Sequence, residues 1–387
     1  MTINFKFPIL DSSGNPTSTT VDMDDMFASK DLWLGTSLNG FGVNYHGSLG
    51  NENITAYSSP IQVGSLTNWK QVACGYSNTS AIKTDGTLWG WGYNNFGQLG
   101  NGNTTKYSSP VQVGSLTNWK QISTSAHLGA IKTDGTLWAC GYNINGQLGN
   151  GTTTSYSSPI QVGSLTNWKQ ISCGYRSSSS TKTDGTLWIW GDNYYGQLGN
   201  GNTTNYSSPI QVGTLTNWKL VSCGDYHASA IKTDGTLWAW GRNQNGQLGN
   251  GTIIDYSSPI QVGSLTDWKQ VSCGYHYTMA IKTDGTLWAC GSNNFGELGN
   301  GTTTSYSSPI QVGSLTNWKQ VDCGYGYAIA IKNDSTMWSW GYNTFGELGN
   351  GNVISYSSPI QVGTLTNWKQ VACGYGHILA ISSNNLP

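Results

Sequence analysis

The stretch SSPIQVGSLTNWKQVACGYSNTSAIKTDGTLWGWGYNNFGQLGNG, from Ser58 to Gly102, returns with small changes to the end of the 387-residue chain. Each copy opens on Tyr-Ser-Ser-Pro, and successive copies are 50 residues apart, with one step of 49. A period of that length, made of short strand-like segments and turns, is typical of a propeller or array whose units bury their apolar faces against neighbours. The opening tyrosines are Tyr57, Tyr107, Tyr156, Tyr206, Tyr256, Tyr306 and Tyr356.

Each unit is predicted to contain four strands. The segments Thr79–Thr84 and Thr87–Gly92 are joined by Asp85-Gly86, a strong signal for a two-residue hairpin because both turn positions need positive φ. A strand near Trp69–Cys74 precedes this hairpin, and a fourth strand follows a glycine-rich loop. The pattern therefore predicts four-stranded antiparallel blades.

The chain begins and ends in the middle of a unit. Leu32-Trp33 is aligned with the Leu-Trp of later units, and Gly47–Gly50 with their Gly-Gln-Leu-Gly, so Gly40–His46 is interpreted as a loop insertion. The last unit has Trp368–Ile381 and stops before any Leu-Trp. Together the two ends make one unit, which predicts an all-β, seven-bladed β-propeller whose ring closes by pairing N- and C-terminal strands in one blade.

Two regions follow from this pattern, an N-terminal extension (1–30) and the propeller (31–387). Met1–Leu10 alternates like one strand, and Asp11–Thr20 has the composition of a linker. One interpretation is a strand and loop packed on the body. The other is an anchor that docks the body onto another protein, with Phe5, Phe7, Met23, Met26 and Phe27 as its apolar contacts.

Composition limits the functions. Charged residues make up 10% of the chain and the formal net charge is -1, with no basic run, so no electrostatic basis for nucleic-acid binding is visible. No apolar run approaches the ~18 residues of a membrane span, which predicts no membrane insertion, and no secretory signal is recognisable.

The eight cysteines recur at repeat positions. Six share one position, exemplified by Cys74, while Cys140 and Cys290 replace the second Trp of Leu-Trp-x-Trp-Gly. Equivalent strands of packed sheets lie about 10 Å apart, beyond the ~7 Å Cα limit for a disulfide. We therefore expect small, buried, unpaired thiols.

The unit also carries a family resemblance. The pattern Gly-x-x-x-x-x-Ala-Ile-x-x-Asp-Gly-x-Leu-Trp-x-Trp-Gly-x-Asn-x-x-Gly-Gln-Leu-Gly, over about residues 31–381, resembles the repeat of the regulator of chromosome condensation family. The resemblance implies a seven-bladed propeller. Members often carry His three residues before the Ala, where the resemblance implies a hydrogen-bonding role; His127, His227 and His377 match.

No catalytic constellation, metal site or cofactor motif stands out, so the sequence predicts a protein that is not an enzyme. The five histidines lie in different units without Cys or carboxylate at ligand spacing, which favours structural hydrogen bonding. Two rings of lysine are interpreted as solvated faces, the second partly neutralised by the Asp-Gly turns, with an anion-binding rim as the alternative. These rings are Lys70, Lys120, Lys169, Lys219, Lys269, Lys319 and Lys369, and Lys83, Lys132, Lys182, Lys232, Lys282 and Lys332.

The copies differ mainly on one side of the predicted ring. Loops 2–3 and 4–1, between strands numbered outward from the axis, are nearly uniform, whereas loops 1–2 and 3–4 vary and are rich in Tyr, Asn, Phe and Arg. Such residues suit recognition, with neutral drift as the alternative. The candidate partner-binding residues are Asn95, Phe96, Tyr142, Ile144, Arg176, Tyr194, Tyr195, Tyr226, His227, Arg242, Gln244, Phe295 and Phe345.

The first functional hypothesis is a non-enzymatic binding or structural module of a virion, since leader plus propeller is similar to tailed-phage virion proteins with such repeats. The extension would bind other virion proteins, and the varied loops a host surface receptor or glycan. The alternatives are a cytoplasmic regulatory propeller, of the guanine-nucleotide exchange or inhibitor type that the family resemblance implies, and a lectin with aromatic pockets between blades.

Overall fold

Each repeat folds into a four-stranded antiparallel sheet, and seven such sheets surround a central axis. The computed structural model describes residues 6–10, 16–22 and 35–383. Strands are numbered in chain order, and within a blade they are called first to fourth from the axis outward.

The first strands are β5 (Trp69–Cys74), β9 (Trp119–Thr124), β13 (Trp168–Cys173), β17 (Trp218–Cys223), β21 (Trp268–Cys273), β25 (Trp318–Cys323) and β29 (Trp368–Cys373). The second strands are β6 (Asn78–Lys83), β10 (His127–Lys132), β14 (Ser177–Lys182), β18 (His227–Lys232), β22 (Tyr277–Lys282), β26 (Tyr327–Lys332) and β30 (His377–Ser383). The third strands are β7 (Leu88–Gly92), β11 (Leu137–Gly141), β15 (Leu187–Gly191), β19 (Leu237–Gly241), β23 (Leu287–Gly291), β27 (Met337–Gly341) and β3 (Thr36–Gly42). The fourth strands are β8 (Tyr107–Gln112), β12 (Tyr156–Gln161), β16 (Tyr206–Gln211), β20 (Tyr256–Gln261), β24 (Tyr306–Gln311), β28 (Tyr356–Gln361) and β4 (Tyr57–Gln62).

The ring closes as predicted, in a blade ordered β29-β30-β3-β4. The register runs from Thr36 opposite Ser383 to Gly42 opposite His377 without a break. The residue-level alignment was wrong, however: Leu38, not Leu32, takes the place of Leu88, since its carbonyl accepts the Val63 amide as that of Leu88 accepts Val113.

The predicted insertion at Gly40–His46 is also wrong. Gly40 and Gly42 belong to β3, and Phe41 occupies the buried position that Trp91 fills in the next blade. Leu32 and Trp33 lie outside the described residues.

The N-terminal extension contains an antiparallel pair, β1 (Lys6–Leu10) and β2 (Pro16–Asp22). The predicted linker therefore contains part of a strand. Of the candidate anchor residues, Phe7 lies in β1, and Phe5, Met23, Met26 and Phe27 lie outside the described residues.

The apolar cores lie between adjacent sheets. One core joins Ile131, Leu137 and Leu148 of one blade to Trp168 and Trp190 of the next, all nearly fully buried. A buried Trp contributes roughly 4–6 kcal/mol of gross burial free energy. Neighbouring blades, rather than single units, therefore supply the stability of the ring.

Glutamine side chains fasten the first strands to one another. Gln71 donates its side-chain amide to the Ile122 carbonyl (3.0 Å) and accepts the Ile122 amide (3.1 Å), and Gln370 bonds Val72 in the same way across the seam. The equivalent position in one blade is Leu220, which lacks these groups. These glutamine side chains form hydrogen bonds with backbone amide and carbonyl groups of the first strands, which would otherwise have no partner at the inner edge of each sheet.

The eight cysteines are buried and unpaired, which confirms the sequence prediction. Burial raises the pKa of the Cys173 and Cys223 thiols to about 12. These thiols are therefore protonated and unreactive at neutral pH.

The two faces of the ring are distinct. The Asp85-Gly86 turn contacts the loops on both sides of it: the Thr84 amide donates to the Asn68 carbonyl (2.9 Å) and the Trp119 amide to the Gly86 carbonyl (3.1 Å). Loops 2–3 and 4–1 therefore share one face, here called the uniform face. Loops 1–2 and 3–4 form the opposite, variable face.

The second lysine ring is not a solvated face, contrary to the sequence interpretation: five of its members are buried and Lys83 is half-buried. Lys132 is 6% exposed, and its Nζ lies 3.6 Å from the ring centroid of Trp138 and 4.9 Å from that of Trp119. Burial lowers the pKa of Lys132. Each of the six lysines instead lies over a pair of tryptophans, in a cation–π arrangement.

The part of the chain that the structure describes holds no helix with the length and apolar character that a membrane crossing requires.

Candidate partner-binding face

A buried asparagine shapes every loop 3–4 on the variable face. Asn94 is fully buried; its Nδ2 donates to the carbonyls of Asn103 (3.0 Å) and Thr105 (2.8 Å), and its Oδ1 accepts the amide of Leu99 (3.0 Å). The same side-chain role recurs at Asn44, Asn143, Asn193, Asn243, Asn293 and Asn343. The two residues that follow each asparagine are therefore held on a rigid loop.

Aromatic side chains at the ends of these loops contact the next blade. Phe96 lies 4.7 Å from Tyr142, and Phe295 lies 4.9 Å from Tyr342, measured between ring centroids. Such pairs stabilise by about 0.5–1.5 kcal/mol beyond area burial. Part of the varied sequence on this face thus serves packing between blades.

One pair of neighbouring blades differs, because Arg242 takes the place of the second aromatic residue, the position that Tyr142 has beside Phe96. The Cζ of Arg242 lies 4.9 Å from the ring of Tyr195 and 5.5 Å from that of Tyr226, and its Nη2 donates to Gln244 Oε1 at 2.9 Å. Tyr194 packs edge-on against Tyr195 and is 73% exposed. We call these five residues the Arg242 cluster.

His276 extends the cluster toward the axis. Its ring stacks on Tyr226 at 5.9 Å and lies 3.9 Å from the ring of Tyr275. Burial, and then the charge of Arg242, lower the pKa of His276 to about 4, so it is neutral at physiological pH. Burial raises the pKa of nearby Asp225 to about 7, against the opposing effect of Arg176.

Tyrosines surround the mouth of the central channel on this face. Tyr325 lies 4.2 Å from Tyr375 and 4.5 Å from Tyr275, while Tyr76 lies 4.6 Å from Tyr375 and 5.6 Å from Tyr175. These five tyrosines are not among the predicted partner-binding residues, although a recurring Cys-Gly-Tyr marks them in the sequence. They were missed because that position varies little.

Below the tyrosines, the channel encloses about 290 Å³ and is lined by the first strands of all seven blades. Asp225 and Asp322 are acidic residues of its lining, and Asp322 is held by two hydrogen bonds: Oδ1 accepts the Ser272 hydroxyl at 3.0 Å, and Oδ2 accepts the Cys373 amide at 2.7 Å. Burial raises the pKa of Asp322 to about 6. The channel is thus polar and weakly acidic.

The predicted partner-binding residues divide by exposure. Five are half-buried in contacts within the face: Tyr142, Arg176, Tyr195, Tyr226 and Arg242. Seven are exposed on it: Asn95, Phe96, Ile144, Tyr194, Gln244, Phe295 and Phe345.

His227 is a correction to the predicted set. It is 1% exposed, and its Nε2 lies 2.9 Å from the Thr278 hydroxyl of the next blade. Burial lowers its pKa to about 3. His227 is a packing residue and is not available to a partner.

The other two histidines of the repeat position make the same bond. His127 Nε2 lies 2.6 Å from Ser178 Oγ, and His377 Nε2 lies 3.0 Å from Thr79 Oγ1. Because Ser178 already donates its proton to the Gln147 carbonyl (2.8 Å), His127 must be the donor of the pair. The structural hydrogen-bonding role expected for these histidines is confirmed.

Comparison with known proteins agrees with this architecture. The RCC1-like domain model matches residues 34–269, and models of the regulator of chromosome condensation (RCC1) repeat match residues 284–331 and 334–381. A further RCC1 repeat model matches residues 268–297 and 318–347.

The chain belongs to the RCC1-like family.

Solved structures support the fold of this RCC1-like propeller. Human WBSCR16 is 22% identical, with a TM-score of 0.81, covering 91% of this chain and 100% of its own. Yeast RCC1 (Prp20), bound to Kap60, is 20% identical, with a TM-score of 0.83, covering 92% of this chain and 90% of its own. A structure of Prp20p from Saccharomyces cerevisiae is 18% identical, with a TM-score of 0.81, covering 93% and 95%. No curated protein sequence matches the chain significantly.

These findings overturn one expectation. The predicted virion location is wrong, because the structures that match the propeller over nearly its whole length are human and yeast proteins. The coarser prediction of an RCC1-type repeat propeller is confirmed.

Proposed function

We propose that this RCC1-like propeller is a non-enzymatic regulatory module that binds a protein partner through its variable face. The observation that carries the proposal is the Arg242 cluster. Tyr194 projects 73% exposed from a loop fixed by buried Asn193, and Arg242 is held against two tyrosine rings. Tyrosine and arginine on rigid supports are the side chains that contribute most to protein interfaces.

Charge does not select the partner. Seven carboxyl groups and three basic side chains lie on the variable face and in the channel, but Asp192, Glu297 and Glu347 are 1–6% exposed, and burial raises the pKa of Asp225 to about 7 and that of Asp322 to about 6. The acidic groups are Glu52, Asp192, Asp225, Asp255, Glu297, Asp322 and Glu347, and the basic ones are Lys106, Arg176 and Arg242.

The structurally similar proteins supply candidates. Prp20p has binding properties toward Gsp1p and histones, and yeast RCC1 binds Kap60. A Gsp1p-type small GTPase is the candidate of the exchange-factor alternative.

The test measures binding of purified full-length protein to a histone octamer, to a Gsp1p-type GTPase and to Kap60. Tyr194→Ala combined with Arg242→Ala should weaken the partner's affinity at least about tenfold, because both are central contacts of the proposed interface. Phe345→Ala, on the same face in another sector, is the matched control and should change affinity less than about twofold.

Two outcomes would contradict the proposal: no binding to any of the three, or equal losses for the double variant and the control. Release of fluorescent GDP from the GTPase separates the subclasses. Faster release indicates the exchange type, whereas binding without faster release indicates a binding module alone.

A further inference from the structure

The uniform face exposes the same leucine in six copies of the repeat. Each lies in loop 4–1, in the sequence Gly-Ser/Thr-Leu-Thr, and is 43–46% exposed. An isolated exposed leucine is ordinary, but one repeated around a ring forms a patterned apolar surface. These residues are Leu116, Leu165, Leu215, Leu265, Leu315 and Leu365.

The Asp-Gly turns explain why these leucines are exposed. The Gly86 turn supports the next loop through the Trp119 amide, and it fits so closely that a Cβ on Gly86 would lie 2.1 Å from the Thr117 carbonyl oxygen. At the seam, the described residues 35–383 include no such turn beside the loop. There Leu66 packs against the core, and Trp69 Nε1 donates to its carbonyl at 3.0 Å.

The seam loop shows that the same sequence can also place its leucine half-buried against the core. The six other loops leave that alternative unused, and the indole N–H groups of Trp119, Trp168, Trp218, Trp268, Trp318 and Trp368 are buried without a hydrogen-bond partner among the described residues. In these six copies the leucine is exposed and the indole N–H lacks the hydrogen bond that Trp69 makes to the Leu66 carbonyl at the seam.

The exposed lysine ring lies on the same face, nearer the axis. All seven lysines follow the first Trp of a first strand, and Lys70, Lys120 and Lys369 line one common opening. Thirteen lysines and seven aspartates lie at this face, although the whole chain has a net charge of -1; the six lysines over the tryptophans supply the formal excess of positive charge from beneath the exposed ring. Positive charge is thus concentrated on the uniform face.

We propose that the uniform face docks onto the surface of a bilayer rich in anionic lipid. Its leucines would enter the headgroup boundary, and its lysines would contact the acidic headgroups. A lipid surface presents the same chemistry in every direction, so all copies engage it at once, whereas an asymmetric protein would match one or two copies. A second copy of this chain would bring two positive faces together, which charge repulsion disfavours.

The experiment is co-sedimentation of the full-length protein with two kinds of vesicle: phosphatidylcholine alone, and phosphatidylcholine with about a third phosphatidylglycerol. Binding is expected only to the second kind and should weaken as salt is raised. The combined variant Lys120→Gln, Lys219→Gln and Lys319→Gln should lower the partition coefficient about a hundredfold.

The leucines are tested by Leu116→Ser, Leu215→Ser and Leu315→Ser together, which should lower partitioning at least about tenfold. The matched control is Ile144→Ser, Ile254→Ser and Ile354→Ser, three apolar residues of the variable face that are 61–63% exposed. The control should bind as the parent does. Thermal unfolding of each variant checks that the ring is intact.

Three outcomes would overturn the proposal: no binding to anionic vesicles, equal losses for the leucine variant and its control, or loss with the lysine variant but not with the leucine variant. Retention on immobilised polyglutamate without vesicle binding would also overturn it and would identify an acidic protein as the occupant.

Discussion

The two faces of the ring differ in where their contacts run. On the uniform face, the side-chain hydrogen bonds of the turns stay within a unit: Asp134 Oδ1 accepts the amide (2.9 Å) and hydroxyl (2.6 Å) of Thr136, whose oxygen accepts Trp138 Nε1 at 2.9 Å. The same three bonds recur in every Asp-Gly or Asp-Ser turn. A change at any of these residues leaves a partner unsatisfied, which accounts for their uniform sequence.

On the variable face and just beneath it, the aromatic pairs and the histidine hydrogen bonds run between blades, so these residues change in pairs. Where the second strand begins with His, the facing residue of the next blade carries a hydroxyl: Ser178, Thr278 or Thr79. Where it begins with Asn, Ser or Tyr, the equivalent residue is Leu128, Ala228, Ala328 or Ile378. Much of the sequence variation near this face therefore reflects packing between paired residues of neighbouring blades. This third explanation was not among the two considered from the sequence, which were partner recognition and neutral drift.

The largest expected effect concerns a paired histidine and pH. The folded pKa of His127 is about 3, lowered by burial, against an unfolded value of 6.5. Neutral His127 therefore contributes stability that is complete above pH 6.5 and is lost as the pH falls toward 3. In urea unfolding, the stability of the parent relative to His127→Asn should fall by about 1.4 kcal/mol per pH unit below pH 6.5.

The difference between the two proteins isolates this histidine from the carboxyl groups that titrate in the same range. His46→Asn is the control, because His46 is only half-buried, and its difference from the parent should depend much less on pH. If the His127→Asn difference stayed constant across the range, His127 would not be held neutral, and the donor role assigned to it would be wrong.

The comparison of faces also explains what could be predicted from the sequence. The propeller and its closure follow from counting repeats, because that count is independent of register. The strand register at the seam could not be predicted in this way. In β3, Asn39 stands where the next blade has Trp89, and Phe41 stands where it has Trp91, so β3 contains no Leu-Trp pair. The Leu-Trp pair at Leu32 was therefore aligned wrongly with the later units.

For the candidate site, the sequence indicated which residues share a face but not which of them meet. Phe96 and Tyr142 are 46 positions apart, and their contact depends on the distance between blades, which no local pattern gives. The sequence likewise could not show that Lys132 lies over Trp138, since alternation along a strand gives a side, not a partner. Contacts between units were therefore the part that required the structure.

A smaller effect is expected from exchanging one pair for another. Elsewhere in the ring a Tyr faces Ala328, so His227→Tyr should be tolerated better with Thr278→Ala. By itself, His227→Tyr crowds Thr278, and Thr278→Ala leaves the His227 side chain without its hydrogen-bond partner. Each single change should lower the free energy of unfolding by about 1–3 kcal/mol. Together their destabilisation should be less than additive by about 1 kcal/mol in a double-mutant cycle.

The matched control for this cycle combines His227→Tyr with Ser178→Ala, the equivalent hydroxyl beside His127. These sites share no contact, so their effects should add within about 0.5 kcal/mol. Additivity of the first pair would show that the pattern of His with hydroxyl is coincidental.

The smallest effect belongs to the uniform face, where one turn departs from the rule. Ser335 occupies the glycine position with φ of 61°, a conformation that costs a residue with a Cβ about 1 kcal/mol. Ser335→Gly should therefore stabilise the protein by less than about 1 kcal/mol, because glycine also loses more entropy on folding. Gly86→Ser should destabilise by about 1 kcal/mol or more, since its Cβ would crowd the Thr117 carbonyl. Opposite signs in denaturant melts would show that backbone geometry within the unit keeps this face uniform. If both variants changed the stability in the same direction, the fold alone would not require glycine in these turns. Binding of a partner to the turns would then be the better explanation of their uniform sequence.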